Sequence, residues 1–149
     1  MPLISIVTFL PLVGALILLF GVRGDSPQAQ ENARWVSMWA TSATFVVSLF
    51  MLIGFDPQDT GFQFVEEYVW LTGLSWRVGV DGISMPLLML TTFIMPIAIY
   101  ASWNITHRVQ EYMACFLVLE TLMIGVFTAL DIVLFYLFFE GGLIPMFLI

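Results

Sequence analysis

Glu140 lies in Phe135-Tyr-Leu-Phe-Phe-Glu-Gly-Gly-Leu-Ile-Pro145, a run otherwise built of aromatic and aliphatic side chains, two glycines and a proline. An acid in such a run is a candidate for chemistry, because a charge at bilayer depth costs at least ~2.5 kcal/mol even on the mildest scale. A carboxyl group that takes and releases a proton at mid-membrane is what a proton relay requires. Two further acids stand in apolar sequence nearby, Glu120 in Leu117-Val-Leu-Glu-Thr121 and Asp131 in Ala129-Leu-Asp-Ile132. Asp131 marks a tight turn, since apolar sequence resumes at once after it. Glu140 follows that turn by nine residues and Glu120 precedes it by eleven. At helical rise these are depths of ~13–14 Å and ~16 Å on adjacent antiparallel helices, near the middle of a ~30 Å hydrocarbon core. Periodicity does not show whether the two face each other, so a shared proton and a capped bystander both stay open. For Glu120 a functional and a structural role weigh equally. Asp131 sits at the boundary, where solvation is cheap; a turn residue is its first reading and a place on the proton path its second.

The backbone beside Glu140 is also unusual. Pro145 lacks an N–H, and its ring presses on the carbonyl four residues back, that of Gly141. The freed carbonyl next to Glu140 gives a water or a polar partner a place to settle. Close helix packing by small residues accounts for Gly141-Gly142 equally well.

The elements that must position these acids are membrane helices. The 149 residues are 60% hydrophobic and 10% charged, against about 25% charged in a soluble domain. Runs of roughly 20 apolar residues suffice to cross a bilayer. Five are expected: Leu3 to Val22, Trp35 to Gly54, Asp81 or Gly82 to Trp103, Tyr112 to Leu130, and Ile132 to Ile149. The expected fold class is an all-α integral membrane protein with a single membrane domain over 1–149. Between the second and third spans, the aromatic and β-branched residues of Phe62 to Val80, with Thr72-Gly73 as turn, predict a short β-hairpin. The acids of that connection read as a solvated face. Asp81, with Ser84 three residues on, reads as a helix N-cap.

Charge sets the orientation. Arg23 and Arg34 fall in the first loop and Arg108 in the third, while the second carries Arg77 against Asp56, Asp59, Glu66 and Glu67. The positive-inside rule then places the first and third loops in the cytoplasm and the N-terminus outside. The net charge of −7, with four arginines and no lysine, leaves no basic footprint for nucleic acid. Cys115 is alone and reads as a small buried hydrophobe, so no internal disulfide and no cysteine-only metal site is expected. His107, in the third loop, reads as solvated, with proton entry as its second reading. No sequence signature for a phosphate loop, serine triad or haem is present, so electron carriers are expected on other chains. The N-terminal span has no positive n-region and reads as a retained helix. The sequence is still apolar at Ile149, which reads as part of a longer protein.

"GVDGISMPLLMLTTF", "FVEEYVWL" and above all "ALDIVLFYLFFEGGLIP" resemble the antiporter-like membrane subunits of proton-pumping NADH:quinone oxidoreductase, respiratory complex I, in its subunit M (chain 4) branch. The resemblance covers nearly the whole chain. It implies the N-terminal helices of a longer fourteen-helix fold with two inverted five-helix repeats. It makes Glu140 the mid-membrane glutamate, paired with a lysine on a broken helix further along, and matches Asp131 to a second acid of the family. The resemblance assigns Glu120 no role, so it rests on depth alone. NADH, FMN, iron–sulfur clusters and quinone are then used by other subunits, with none on this chain. The implied partners are the other membrane subunits, neighbouring antiporter-like subunits among them, in a bacterial inner membrane or, alternatively, a mitochondrial one. Two rivals stand beside this: a subunit of a multi-subunit cation/proton antiporter, and a truncated structural membrane protein without transport.

Overall fold

The computed structural model describes residues 3–21, 27–58, 61–71, 74–104 and 109–148. The order is α1 (Leu3–Gly21), α2 (Pro27–Gly54), β1 (Gln63–Leu71), β2 (Leu74–Val80), α3 (Ser84–Ala101), α4 (Val109–Thr128) and α5 (Ile132–Leu148). The helices run alternately toward and away from the hairpin. α4 is the hub and packs against all four other helices. α1 to α4 are long and apolar enough to cross a membrane. α5 is apolar throughout and is described over 17 residues, about 25 Å of helix.

Helix boundaries follow local chemistry. α2 begins at Pro27, well before the expected Trp35, because Pro27 suits the first helical position. Gln, Ala and Glu then propagate a helix in any solvent; hydropathy marks only its apolar part. Arg34 therefore lies on α2 and not in a loop. Arg23, Asp59, the turn residues Thr72-Gly73, His107 and Arg108 lie outside the described residues.

The bundle is built for lipid. On α2 the buried residues are Ala29, Ala33, Ser37, Thr41, Thr44, Ser48 and Met51, while Trp39, Phe50 and Ile53 are exposed. Small and hydroxyl side chains thus make the helix contacts, since lipid tails are as apolar as any core. The hydroxyls close on their own backbone: Ser37 Oγ donates to Ala33 O at 2.8 Å and Thr44 Oγ1 to Ala40 O at 2.8 Å. Two apolar clusters fill the interior. One, at the hairpin end, joins Ile4, Val7, Met51, Trp76, Leu88 and Ile124; the other, at the far end, joins Ala15, Leu18, Ala33, Ile99, Met113 and Leu117.

α1 and α2 approach closely at Gly14. A Cβ there would stand 2.6 Å from the Ala40 Cβ and 3.3 Å from Leu117 Cδ1, so neither helix has room to give. Gly14→Val is expected to lower stability by about 1–3 kcal/mol through overpacking, read as a lower thermal midpoint of the detergent-solubilised protein. An unchanged midpoint would show that the two helices can separate freely.

The hairpin is antiparallel, with Glu67 opposite Arg77 and Tyr68 opposite Trp76. It is fastened to the bundle at two points. Leu130 N–H donates to Arg77 O at 2.9 Å, and Val78 bridges to Ala129, so the α4–α5 turn extends the sheet. On the other strand, Glu66 accepts from Ser5 N–H at 2.9 Å and from Ser5 Oγ at 2.8 Å.

Candidate functional site

α4 and α5 carry the three singled-out acids. Glu120 is fully buried. Val118, two positions before it, packs on the far cluster, and Ile124, one turn after it, belongs to the hairpin-end cluster. The carboxyl group therefore stands where the two apolar clusters meet. Neither of its oxygens has a hydrogen-bond partner among the described residues.

Glu140 is at the same level but on another face. It is eight positions into α5 from Ile132, and Glu120 is eight positions before Thr128, so each is about 12 Å from the turn. α5 packs on α4 through a narrow stripe. Leu134 and Pro145 are its buried residues. A Cβ at Gly125 would lie 2.6 Å from the Phe138 ring, and one at Gly141 would lie 3.3 Å from Leu122. Glu140 is one residue, roughly 100° of helix, from Gly141, and it is exposed. Phe139, Leu143 and Phe147 are exposed as well. The structure thus brings the two acids to one depth and does not bring them face to face.

The neighbouring glycines part company. Gly141 faces Leu122 of α4, which is the close-packing role. A Cβ at Gly142 would meet nothing within 4 Å. The helix runs through Pro145 to Leu148.

Asp131 stands at the start of α5. Its Oδ1 accepts from Val133 N–H at 2.9 Å and its carbonyl from Phe135 N–H at 2.9 Å. It satisfies an orphan donor of the helix start, the turn role foremost in the sequence reading.

Asp81 does the same for α3, one turn outside it. Its Oδ1 accepts from Ser84 N–H at 2.8 Å, Ser84 Oγ at 2.9 Å and Ile83 N–H at 3.0 Å, while Ser84 Oγ accepts from Asp81 N–H at 2.9 Å. Ser84 holds the Asp81 carboxyl below the usual carboxylate range. A lowered folded value means that the group's contribution is present above its unfolded value and is lost as pH falls through the folded one. Asp81→Asn is therefore expected to flatten the acid limb of the pH–stability profile, measured by thermal midpoints from neutral pH downward. An acid limb identical to wild type would deny Asp81 that role.

Glu66 departs from the sequence expectation. It belongs to the acids that read as a solvated face, yet it is 9% exposed and held by Ser5, whereas Glu67 beside it is exposed and pairs loosely with Arg77 at 3.6 Å. Strand alternation carries the signal, since adjacent residues point to opposite faces. Cys115 is half-buried. No group of three or more His, Cys, Asp or Glu that could hold a metal is found among the described residues.

Comparison with known proteins gives a consistent result. Residues 28–135 match the family model described as NADH-ubiquinone oxidoreductase chain 4, amino terminus. The chain is 60% identical to NADH-quinone oxidoreductase subunit M of Rhodobacter capsulatus, over 99% of this chain and 29% of that protein. It is 43% identical to subunit M of Rickettsia prowazekii, over 100% of this chain and 31% of the relative. It is 40% identical to NADH-ubiquinone oxidoreductase chain 4 of Mycosarcoma maydis, over 99% and 30%. The chain spans under a third of the length of these relatives. The apolar helices and these likenesses together make it an integral membrane protein.

Proposed function

Since the chain belongs to the family of NADH-quinone oxidoreductase subunit M, the NADH-ubiquinone oxidoreductase chain 4 of mitochondria, we propose that it takes part in proton translocation driven by electron transfer from NADH to quinone. The observation that carries this reading is the likeness itself, which takes in the helix of Glu140. NADH, FMN, iron–sulfur clusters and quinone are handled by other subunits. This chain contributes one membrane domain, with its N-terminus and hairpin on the outer face. The other membrane subunits of the complex are its partners.

Glu140 is the proton carrier of this part. Its depth keeps it away from both aqueous faces, so a proton that reaches it has crossed about half the core. Its exposed face of α5 leaves room for a cationic partner from a segment beyond those described, as the family resemblance implies. Holding a proton and pairing with that cation are the two alternating states of Glu140 in this reading. Asp131 stands at the outer mouth, where its helix-capping carboxylate is also placed to pass a proton to water.

Affinity purification through a tag on the full-length protein tests the assignment. NADH:quinone oxidoreductase activity is expected to co-purify, and liposomes holding the preparation are expected to move protons when NADH and quinone are supplied. Recovery of cation/proton exchange with no NADH oxidation would overturn the reading in favour of an ion-gradient antiporter.

A further inference from the structure

Apart from Glu140, α5 is apolar on every face, so burial alone leaves its rotation about its own axis undetermined. That rotation decides where Glu140 points. The sequence even offers two seatings. Phe139 and Gly142 repeat, one position on, the spacing of Phe138 and Gly141, so a helix turned by about 100° would present the same kinds of residue to α4. In the structure one seating is made. Phe135, Tyr136, Phe139 and Phe147 are exposed, while Phe138 is half-buried and packs against the hairpin-end cluster. Gly141 faces Leu122, and a Cβ at Gly142 would meet nothing within 4 Å.

Two elements hold the Phe138 ring. Gly125, buried on α4, leaves a notch: an added Cβ would stand 2.6 Å from both Cγ and Cδ1 of Phe138. The ring therefore lies over α4 backbone where only glycine leaves room. Trp76 of β2 supplies the second wall. β2 turns Trp76, Val78 and Val80 inward, at alternate positions as a strand must. The Trp76 ring meets Phe138 edge to face, with centroids 5.8 Å apart and planes at 77°, a favoured aromatic geometry. Trp76 is itself well held. It is 4% exposed and stacks on Phe9 of α1 at 5.3 Å. Its neighbour Arg77 accepts through its carbonyl from Leu130 N–H at 2.9 Å, in the turn from which α5 starts.

We infer that Phe138, seated between Gly125 and Trp76, is the positioning residue that aims Glu140. Glu140 follows Phe138 by two residues, about 200° round the helix and about 3 Å along it. A ring held against α4 thus turns Glu140 away from α4. The alternative seating on Phe139 would leave Glu140 only about 100° from the packed face. The inference rests on the reading of Glu140 as the proton carrier and names what sets its direction. Trp76 carries the hold of the hairpin to within two residues of that acid, with no contact to the acid itself.

A cycle of Phe138→Leu and Glu140→Gln in the whole complex tests this, read as NADH:quinone turnover in liposomes. Assembly and NADH oxidation by a water-soluble acceptor are followed alongside. Leucine keeps the position apolar and takes the ring out of the notch. Phe138→Leu alone is expected to slow turnover by about tenfold, within the ~10²-fold that a misplacement of roughly 1 Å can cost. In the Glu140→Gln background the same substitution is expected to change turnover little further, because nothing is left to aim. Residues acting independently would instead multiply their factors. Gly125→Ala, which expels the ring from the α4 side, is expected to follow the same pattern and carries the test if Phe138→Leu does not assemble. Slowing by the same factor in both backgrounds, or none in an assembled complex with Glu140 present, overturns the inference and leaves the proton-carrier reading standing. Glu140→Gln turning over at the wild-type rate overturns that reading and the inference with it, so the two failures appear in different arms.

Discussion

Replacing Glu140 by glutamine is expected to slow electron transfer from NADH to quinone by roughly tenfold or more, with the complex still assembled. Glutamine has the shape of the protonated acid and cannot release a proton. In a coupled machine the blocked proton step holds back the redox step. Oxidation of NADH by a water-soluble acceptor, which bypasses quinone, should be unchanged, because Glu140 is remote from that chemistry. Assembly should survive because Glu140 is exposed on α5 and holds no contact in the stripe of Leu134, Phe138, Gly141 and Pro145 that packs against α4. Equal loss with both acceptors would mean a failure of assembly. No loss with either would remove Glu140 from the proton path.

The second large effect is structural. Glu66→Ala is expected to free β1 from α1 and to lower stability by about 1.5–3 kcal/mol, the range for hydrogen bonds to a charged group. Both carboxylate oxygens are used, by the N–H and the hydroxyl of Ser5, and the N–H is one of the orphan donors in the first turn of α1. Glu66→Gln keeps one acceptor and should lose less. Limited proteolysis at the hairpin, with the thermal midpoint alongside, reads both changes. The Arg77 end should stay attached through Leu130, so cleavage is expected to rise in β1 first. Equal resistance of wild type and Glu66→Ala would mean that the Ser5 contact does not hold the hairpin.

The helices and the hairpin are legible in the sequence because lipid-spanning helices and alternating strands leave strong patterns. Boundaries are less so. Hydropathy places the start of α2 at Trp35, since it registers only what lipid accepts, whereas Pro27 to Arg34 is helical for local reasons. Depth is legible for Glu120 and Glu140, because helical rise is fixed and both are counted from the Asp131 turn. Facing is not. α5 is apolar on every side, so no periodicity says which side meets α4; that is decided by the Gly125–Phe138 and Gly141–Leu122 approaches. Glu66 escapes a composition-based reading because a pair of acids in a connection looks solvated until the strand assigns each to a face.

The most direct test of the account is the number of protons moved per NADH oxidised, measured in liposomes holding the full complex with wild-type chain, Glu140→Gln and Glu140→Asp. Glu140→Gln is expected to move few or no protons, and Glu140→Asp, which keeps an exchangeable proton at nearly the same depth, to retain a measurable part. A Glu140→Gln complex that pumps with the wild-type ratio and rate would contradict the placement of the proton carrier at Glu140.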